Sequence, residues 1–365
     1  MKLAEKIDRS SDLTLQEQVV FLIEDGIESA EFGVDEMLPS ERKLCKLYGV
    51  SMMTVRRALA VLEEKGVIRK RQGIGNFVCG PQPPPAKRTK TIALGSFISE
   101  TPFTQCMLSG VSDYLAGTDY DLLFFDTRAE SQRERSFLTD AAEQSDGLLV
   151  LPCVGRYNLD VYTDLITRRY PVVFIDRYLR QLRISNVSTD NEHGGYLAAE
   201  HLLSVGRRHV AFVGSNPNTA VDDRVKGLKR ALRERDLALD EALIRFSGPV
   251  PDPGGQAVRK LHDEGLLGGV DAIFAANDGN AMEALAAVKA LGLRVPDDIS
   301  LCGFDDLVFS AHLDPPLTTV RQPLEAIGRE AAALLHRIIQ GTAQDYEEIR
   351  LPPELIVRGS TGGVS

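Results

Sequence analysis

LPSERKLCKLYGVSMMTVRRALAVLEEKGVIRKRQGIGNFV, residues 38–78, decides how the first eighty residues fold. Pro39 precedes Ser40, and Glu41 sits in the first turn that would follow, where the helix dipole favours an acid. A helix therefore starts at Ser40, with Leu44 and Leu47 expected to face inward and Gly49 to end it. Ser51 caps the next helix, in which Val55, Leu59 and Leu62 fall on one face while Thr54, Arg56 and Arg57 point elsewhere. Gly66 stops that helix. Val67–Lys70 and Asn76–Val78 then read as two short strands joined by a tight glycine turn. Upstream, Val19, Leu22, Ile23 and Ile27 mark one stripe of a helix over Leu15–Ser29.

Three helices followed by a two-stranded ribbon describe a winged helix-turn-helix. Local charge agrees. Residues 1–41 hold three basic and eleven acidic side chains, whereas residues 42–71 hold nine basic and two acidic ones. Phosphate attraction is thus confined to one short stretch of a chain whose net charge is -10. Arg42, Arg56 and Arg57 offer forked donors to phosphates or guanine edges, and Ser51 and Thr54 offer hydroxyls near a helix start. Gly73 and Gly75 permit close backbone approach. The competing reading is a solvated helical face that serves protein contacts.

At 365 residues, 43% of them hydrophobic and 26% charged, the chain exceeds one ordinary core. The break falls at Gly80–Arg88, where four prolines in five positions around Gln82 exclude helix and central strand and imply an extended spacer. The expected domains are 1–80, a spacer at 81–90, and 91–361. The last of these alternates apolar strand runs, Ile92–Phe97, Leu122–Asp126, Gly147–Leu151, Val172–Asp176, Val210–Gly214, Ala272–Ala276 and Ser300–Phe304, with helical stretches. The helices include Gly194–Val205, Arg224–Arg235, Asn280–Leu291 and Leu324–Gln340. That is a parallel α/β architecture. About eleven strands suit two lobes around a cleft better than one open sheet, with ligands expected beyond the carboxyl ends of the strands. Asp176, Asn277 and Asp305 sit just there, and Arg224 is expected to open a helix after a loop at 215–223. Carboxylates, an amide and a guanidinium are what a polyol needs, since each makes paired hydrogen bonds with vicinal hydroxyls.

Residues 38–78 resemble the GntR family signature at Leu38–Arg42, Leu44, Val50, Ser51, Thr54–Arg56, Ala58, Leu59, Leu62, Gly66, Arg71, Gly73, Gly75, Phe77 and Val78. The resemblance implies DNA contacts at Arg42, Ser51, Thr54, Arg56 and the Gln72-Gly73 wing, and Arg57 and Arg71 join them as cationic neighbours. Met52 and Met53 depart from it, standing where the family most often has an arginine and a polar residue. A methionine touches a thymine methyl but cannot fork onto guanine, and Met52 is also a candidate for packing.

Residues 91–361 resemble LacI/GalR effector domains, which share their fold with periplasmic sugar-binding proteins. The matching strings are Pro171–Arg177, Asp190-Asn191, Ala275–Asp278, Val295–Asp298, Gly303–Asp306, Pro316–Gln322 and Leu355–Ser360. This implies effector contacts at Arg224, Asn277, Asp305 and Gln322, with Asp176 nearby and Phe103-Thr104 at the first strand's exit. Phe103 and Phe309 are candidates for stacking on a sugar or for the core; Asp176 for ligand or for pairing with Arg177; Asp306 for capping the next helix. The combination resembles the arabinose-repressor type of hybrid. It implies a DNA-binding transcriptional regulator, a repressor by analogy, with a palindromic operator, a carbohydrate effector and a homodimer held through helices around Phe103–Leu115 and Leu324–Leu335. The proline-rich spacer cannot form a groove-inserting hinge helix, so coupling should run through dimer geometry.

Other function classes fit poorly. Five scattered cysteines without CxxC suggest neither a disulfide framework nor zinc, and a reducing cytoplasm is the expected home. Residues 1–30 carry acids throughout, unlike a signal peptide, and no apolar run of about 18 residues occurs. A transport solute receptor would need export and no DNA reader. A pyridoxal phosphate hybrid would need an aminotransferase-like lysine context, which the LacI-like strings leave no room for. Gly-Phe-Asp-Asp is no catalytic pair, because adjacent carboxylates at a strand end face different ways, and HExxH, GxSxG and P-loop patterns are absent. No enzyme, cofactor, metal or membrane partner is expected.

Overall fold

In the computed structural model the described residues are 14–28, 32–33, 36–64, 67–71, 75–78, 89–97, 102–155 and 157–362. They form two compact units, one within residues 1–88 and the other from Thr89 onward. The spacer at 81–88, the Gln72-Gly73 wing tip and Gly66 lie outside the described residues.

The first unit has helices α1 (Leu15–Glu28), α2 (Glu41–Tyr48) and α3 (Met52–Glu64), then strands β1 (Ile68–Arg71) and β2 (Gly75–Val78). Ser40 Oγ accepts the Lys43 N–H and caps α2, and Gly49 closes it at φ 66°, a backbone state that costs glycine little. Ser51 Oγ accepts the Thr54 N–H at the start of α3. Val19, Ile23, Leu44, Val55, Ala58 and Leu62 are fully buried in the shared core. Leu47 is not: it is 40% exposed, because Tyr48, four residues after Leu44, takes the inward place. β1 and β2 pair antiparallel from Ile68 with Val78 to Arg71 with Gly75. Residues 36–38 flank the ribbon, with Leu38 N–H donating to the Asn76 carbonyl.

The second unit carries two six-stranded sheets. The first contains β3 (Thr91–Ser96), β4 (Asp121–Asp126), β5 (Gly147–Val150), β6 (Val172–Ile175), β7 (Asn186–Thr189) and β13 (Glu348–Leu351). Its order is β13-β7-β6-β5-β3-β4, all parallel. Helices α4 (Phe103–Leu115), α5 (Ser131–Gln144), α6 (Leu159–Thr167) and α11 (Leu324–Ile339) belong to this lobe. The second sheet contains β8 (Val210–Gly214), β9 (Ile244–Phe246), β10 (Ala272–Ala275), β11 (Ser300–Asp305), β12 (Thr318–Arg321) and β14 (Glu354–Ile356). Its order is β14-β12-β11-β10-β8-β9, with β14 alone antiparallel. Around it stand α7 (Asn191–Ser204), α8 (Thr219–Arg233), α9 (Pro253–Asp263) and α10 (Asp278–Ala290).

Central strands such as β5, β6, β8 and β10 are buried at every position, which is why they read as continuous apolar runs. The edge strands β4 and β13 expose alternate residues. α4 and α11 approach unusually closely: a Cβ built on Gly110 would lie 1.9 Å from the Glu325 carbonyl oxygen, and one on Gly328 2.0 Å from that of Met107. The chain passes between the lobes three times, after β7, after β12 and after β13.

Candidate functional site

On the first unit, α3 turns its core row inward and leaves Arg56 and Arg57 exposed on the opposite side. Arg42 on α2 and Ser51 at the α3 start are also exposed, and Thr54 is half-buried with its hydroxyl 2.8 Å from that of Ser51. Arg56 Nε donates to Glu41 Oε2 at 2.9 Å. Glu41 thus both begins α2 and aims an arginine, at an exposed surface where such a pair stabilises little. The Arg71 backbone lies in β1. The structure therefore brings Arg42, Ser51, Thr54, Arg56 and Arg57 onto neighbouring helices.

In the second unit, the strand order of each sheet places its first strand between the second and third, and ligands gather at the carboxyl ends beside that switch. The carboxyl ends of both sheets line a cavity of about 230 Å³. Phe97 follows β3, Asp176 and Arg177 follow β6, Asn277 follows β10, Asp305 ends β11, and Gln322 follows β12. Arg224 and Asn218 come from α8 and its cap, and Phe103 from the start of α4.

Arg224 is 95% buried by the residue's relative exposure of 5%. Its Nε donates to Asn191 Oδ1 at 2.8 Å, its Nη1 to the Ala276 carbonyl at 2.5 Å, and its guanidinium stacks 3.6 Å over the Phe304 ring. Burial lowers its pKa, opposed by Asp305, Asp176 and Asp278. Asp305 Oδ1 accepts from Gln322 Nε2 at 2.7 Å, and Gln322 Oε1 in turn accepts from the Thr189 hydroxyl at 2.5 Å. Desolvation pushes the Asp305 carboxyl up to about 8, against the pull of Arg224. Asp176 stands at φ 68° with Oδ1 buried and without a hydrogen-bond partner, and burial raises its pKa although Arg177 and Arg224 lower it. An unmatched buried acceptor facing a cavity is costly unless something arrives to donate to it. Asn277 spends its Oδ1 capping α10 through the Asn280 N–H, which leaves its amide NH₂ for the cavity.

Several expectations need correcting. Arg224 does not open α8: the helix begins at Thr219, where Asn218 Oδ1 accepts from Ala220 and Val221, so Arg224 lies a turn inside. Thr104 does not line the cavity; its hydroxyl donates to the Phe97 carbonyl at 2.7 Å and holds the β3 exit. Asp176 makes no ion pair with Arg177, whose own Nε is buried and unpartnered. Asp306 caps no helix but bridges Arg321 at 2.8 Å and Arg358 at 2.6 Å. The ring under the site is Phe304, supporting Arg224, while Phe309 lies outside the cavity lining.

Sequence reasoning missed Phe97, Arg177, Asn218 and Leu307 as walls. It also missed Asp278, fully buried, whose carboxylate accepts from the Leu307 N–H and the Ser310 and Thr319 hydroxyls. A cross-lobe latch closes the rim. Tyr178 N–H donates to Thr219 Oγ1 at 3.1 Å, the Thr219 hydroxyl donates back to the Tyr178 carbonyl at 3.0 Å, and Arg180 pairs with Asp223 at 3.2 Å. Among the described residues no His, Cys, Asp or Glu cluster could hold a metal ion.

Residues 15–78 match the model for bacterial regulatory proteins of the gntR family, and residues 199–361 match the periplasmic binding protein-like domain. The arabinose metabolism transcriptional repressor of Geobacillus stearothermophilus is 31% identical over 91% of this chain and 93% of its own. The chain belongs to the hybrid GntR and LacI/GalR family of transcriptional regulators. Another relative, the HTH-type transcriptional regulator DegA of Bacillus subtilis, is 30% identical over 87% of this chain and 96% of its own. The structure of a transcriptional regulator CelR-cellobiose complex superposes with a TM-score of 0.68 at 30% identity, covering 85% of this chain and 91% of that one. A LacI family regulator from Enterococcus faecium with bound ribose gives 0.64 at 26% identity, covering 75% of this chain and all of that one. Membership explains why one chain holds both a basic helical head and a two-lobed cavity, and these relatives are regulators of transcription, not enzymes. No helix among the described residues of this hybrid regulator is long and apolar enough to cross a membrane.

Proposed function

We propose that this regulator is a cytoplasmic repressor whose grip on a palindromic operator is set by a carbohydrate bound between the two lobes. The observation that carries the reading is the unpartnered, buried Asp176 Oδ1 in a cavity shared with Arg224, Asn277, Asp305 and Gln322. Together these groups offer donors and acceptors on several sides of a ring of hydroxyls, and Phe103 offers an apolar face. The names of the relatives point the same way, toward arabinose, cellobiose and ribose. Residues 1–80 form the reader, 81–90 the spacer and 91–361 the sensor. Arg42, Ser51, Thr54, Arg56, Arg57, Arg71 and the Gln72-Gly73 wing hold the duplex, with α3 in the major groove. Two heads are brought together by a homodimer formed through α4 and α11, and ligand acts by favouring one lobe arrangement over the other.

Two measurements test this. A thermal-shift screen against pentoses, hexoses, uronic acids and nucleosides should find a class that, at 100 times its dissociation constant, adds about 2.7 kcal/mol. The same compound should change the anisotropy of a labelled duplex from the protein's own promoter region. A protein that ignores every such duplex at low salt is not the regulator described, and one that binds DNA but responds to no polyol has a different effector.

A further inference from the structure

Met52 and Met53 are adjacent on α3 and have different surroundings. Met52 is half-buried, its Sδ 3.9 Å from Cys45 Sγ on α2, so it belongs to the contact between the two helices. Met53 is 60% exposed. At 3.6 residues per turn it stands nearly opposite the buried row of Val55, Ala58, Leu59 and Leu62. One turn further along that outward face come Arg56 and Arg57, both exposed. A single exposed apolar side chain is ordinary on a protein surface. This one shares an outward helix face with Arg56 and Arg57, at the second residue of the helix, and the first residues of a recognition helix are those that reach base edges.

A thioether has no N–H or O–H to give, and its sulfur is a weak acceptor, so Met53 cannot read the hydrogen-bonding pattern of a base pair. The apolar group exposed in the major groove is the C5 methyl of thymine. The unbranched side chain can follow such a methyl without a fixed geometry. We propose that Met53 reads a thymine methyl in each operator half-site and so sets a T·A preference at one position beside the bases or phosphates held by Arg56 and Arg57. The inference rests on the reading of α3 as the groove helix.

Deoxyuridine differs from thymidine only by that methyl, which makes the test specific. With the full-length protein and an operator duplex selected from a random pool, each thymine is replaced in turn by deoxyuridine and affinity is followed by fluorescence anisotropy. The expected result is one position per half-site where the replacement weakens wild type by about fourfold, the value of one buried methyl, and where Met53→Ala binds both duplexes alike. Met53→Gln should move the preference at that position toward adenine, which accepts a bidentate amide. If Arg57→Ala weakens binding while Met53→Ala loses nothing, or keeps the wild-type discrimination between thymine and deoxyuridine, the thymine reading is overturned and the groove helix stands. If Arg56→Ala, Arg57→Ala and Met53→Ala all bind as wild type, the groove-helix assignment falls and this inference falls with it.

Discussion

Replacing Arg224 by alanine removes a charged side chain that lines the cavity and stacks on Phe304 in the core beneath it. The guanidinium makes two charge-assisted hydrogen bonds, to Asn191 and to the Ala276 carbonyl, and covers the Phe304 ring. It also offsets Asp305, Asp176 and Asp278. Each such hydrogen bond is worth about 1.5–3 kcal/mol, but the terms overlap and are not summed. Removing one member of a buried charged network typically costs about 3–5 kcal/mol, because the groups left behind stay desolvated and unpaired. At roughly 2–4 °C per kcal/mol for a unit of this size, Tm of the sensor should fall by roughly 6–20 °C. Calorimetry on the full chain would read the shift, and anisotropy of a labelled operator would read the effector response, which should vanish while DNA binding persists. Arg224→Lys should recover part of the Tm without the response, since an ammonium cannot make the fork. An Arg224→Ala protein that melts within a degree of wild type and still responds to effector would refute the account; loss of both functions would indicate a misfolded sensor.

The Asp305 carboxyl, pushed up to about 8 by burial, binds a proton more tightly folded than unfolded. Its contribution is therefore present below about pH 4 and lost as pH rises through about 8; Asp305→Asn should flatten Tm against pH between 5 and 9, and an unchanged slope would assign the dependence elsewhere. Gly110→Ala and Gly328→Ala, whose new Cβ atoms would meet backbone oxygens at 1.9 and 2.0 Å, should each destabilise by at least about 1–3 kcal/mol in denaturant titrations. Full stability would mean that α4 and α11 separate freely. Cutting the rim latch with Thr219→Val and Arg180→Ala should enlarge the radius of gyration in X-ray scattering and weaken effector binding several-fold; identical scattering curves would show that the latch does not hold the lobes.

What could be read in advance followed local chemistry. Ser40, Gly49 and Ser51 announced the helix ends because capping is a short-range effect, and the central parallel strands announced themselves because they are apolar throughout. β7 was silent: Asn186-Val187-Ser188-Thr189 is mostly polar yet wholly buried, and the Asn186 amide N–H and the Thr189 hydroxyl find their partners, Tyr346 and Gln322, far away in sequence. β13 and β14 were silent too, being short edge strands with charged residues. The place of Asp176, Asn277 and Asp305 in the cavity wall was legible because strand ends are visible. Arg177 and Leu307 were not, since their place in the cavity depends on backbone turns at φ 68° and 55° in the residues before them. The early start of α8 was recoverable: Asn218-Thr219 is a capping signal, overlooked beside Pro217.

The last turns of chain carry a consequence for synthesis. Glu348–Leu351 completes one sheet and Glu354–Ile356 the other, and Ser360 then ties β11 to β12 through the Leu301 carbonyl and the Thr318 N–H. Neither half of the sensor can mature on the ribosome before those residues emerge, whereas the head has all its helices and its ribbon by Val78. A nascent chain thus holds a finished head long before it owns the sensor that governs it.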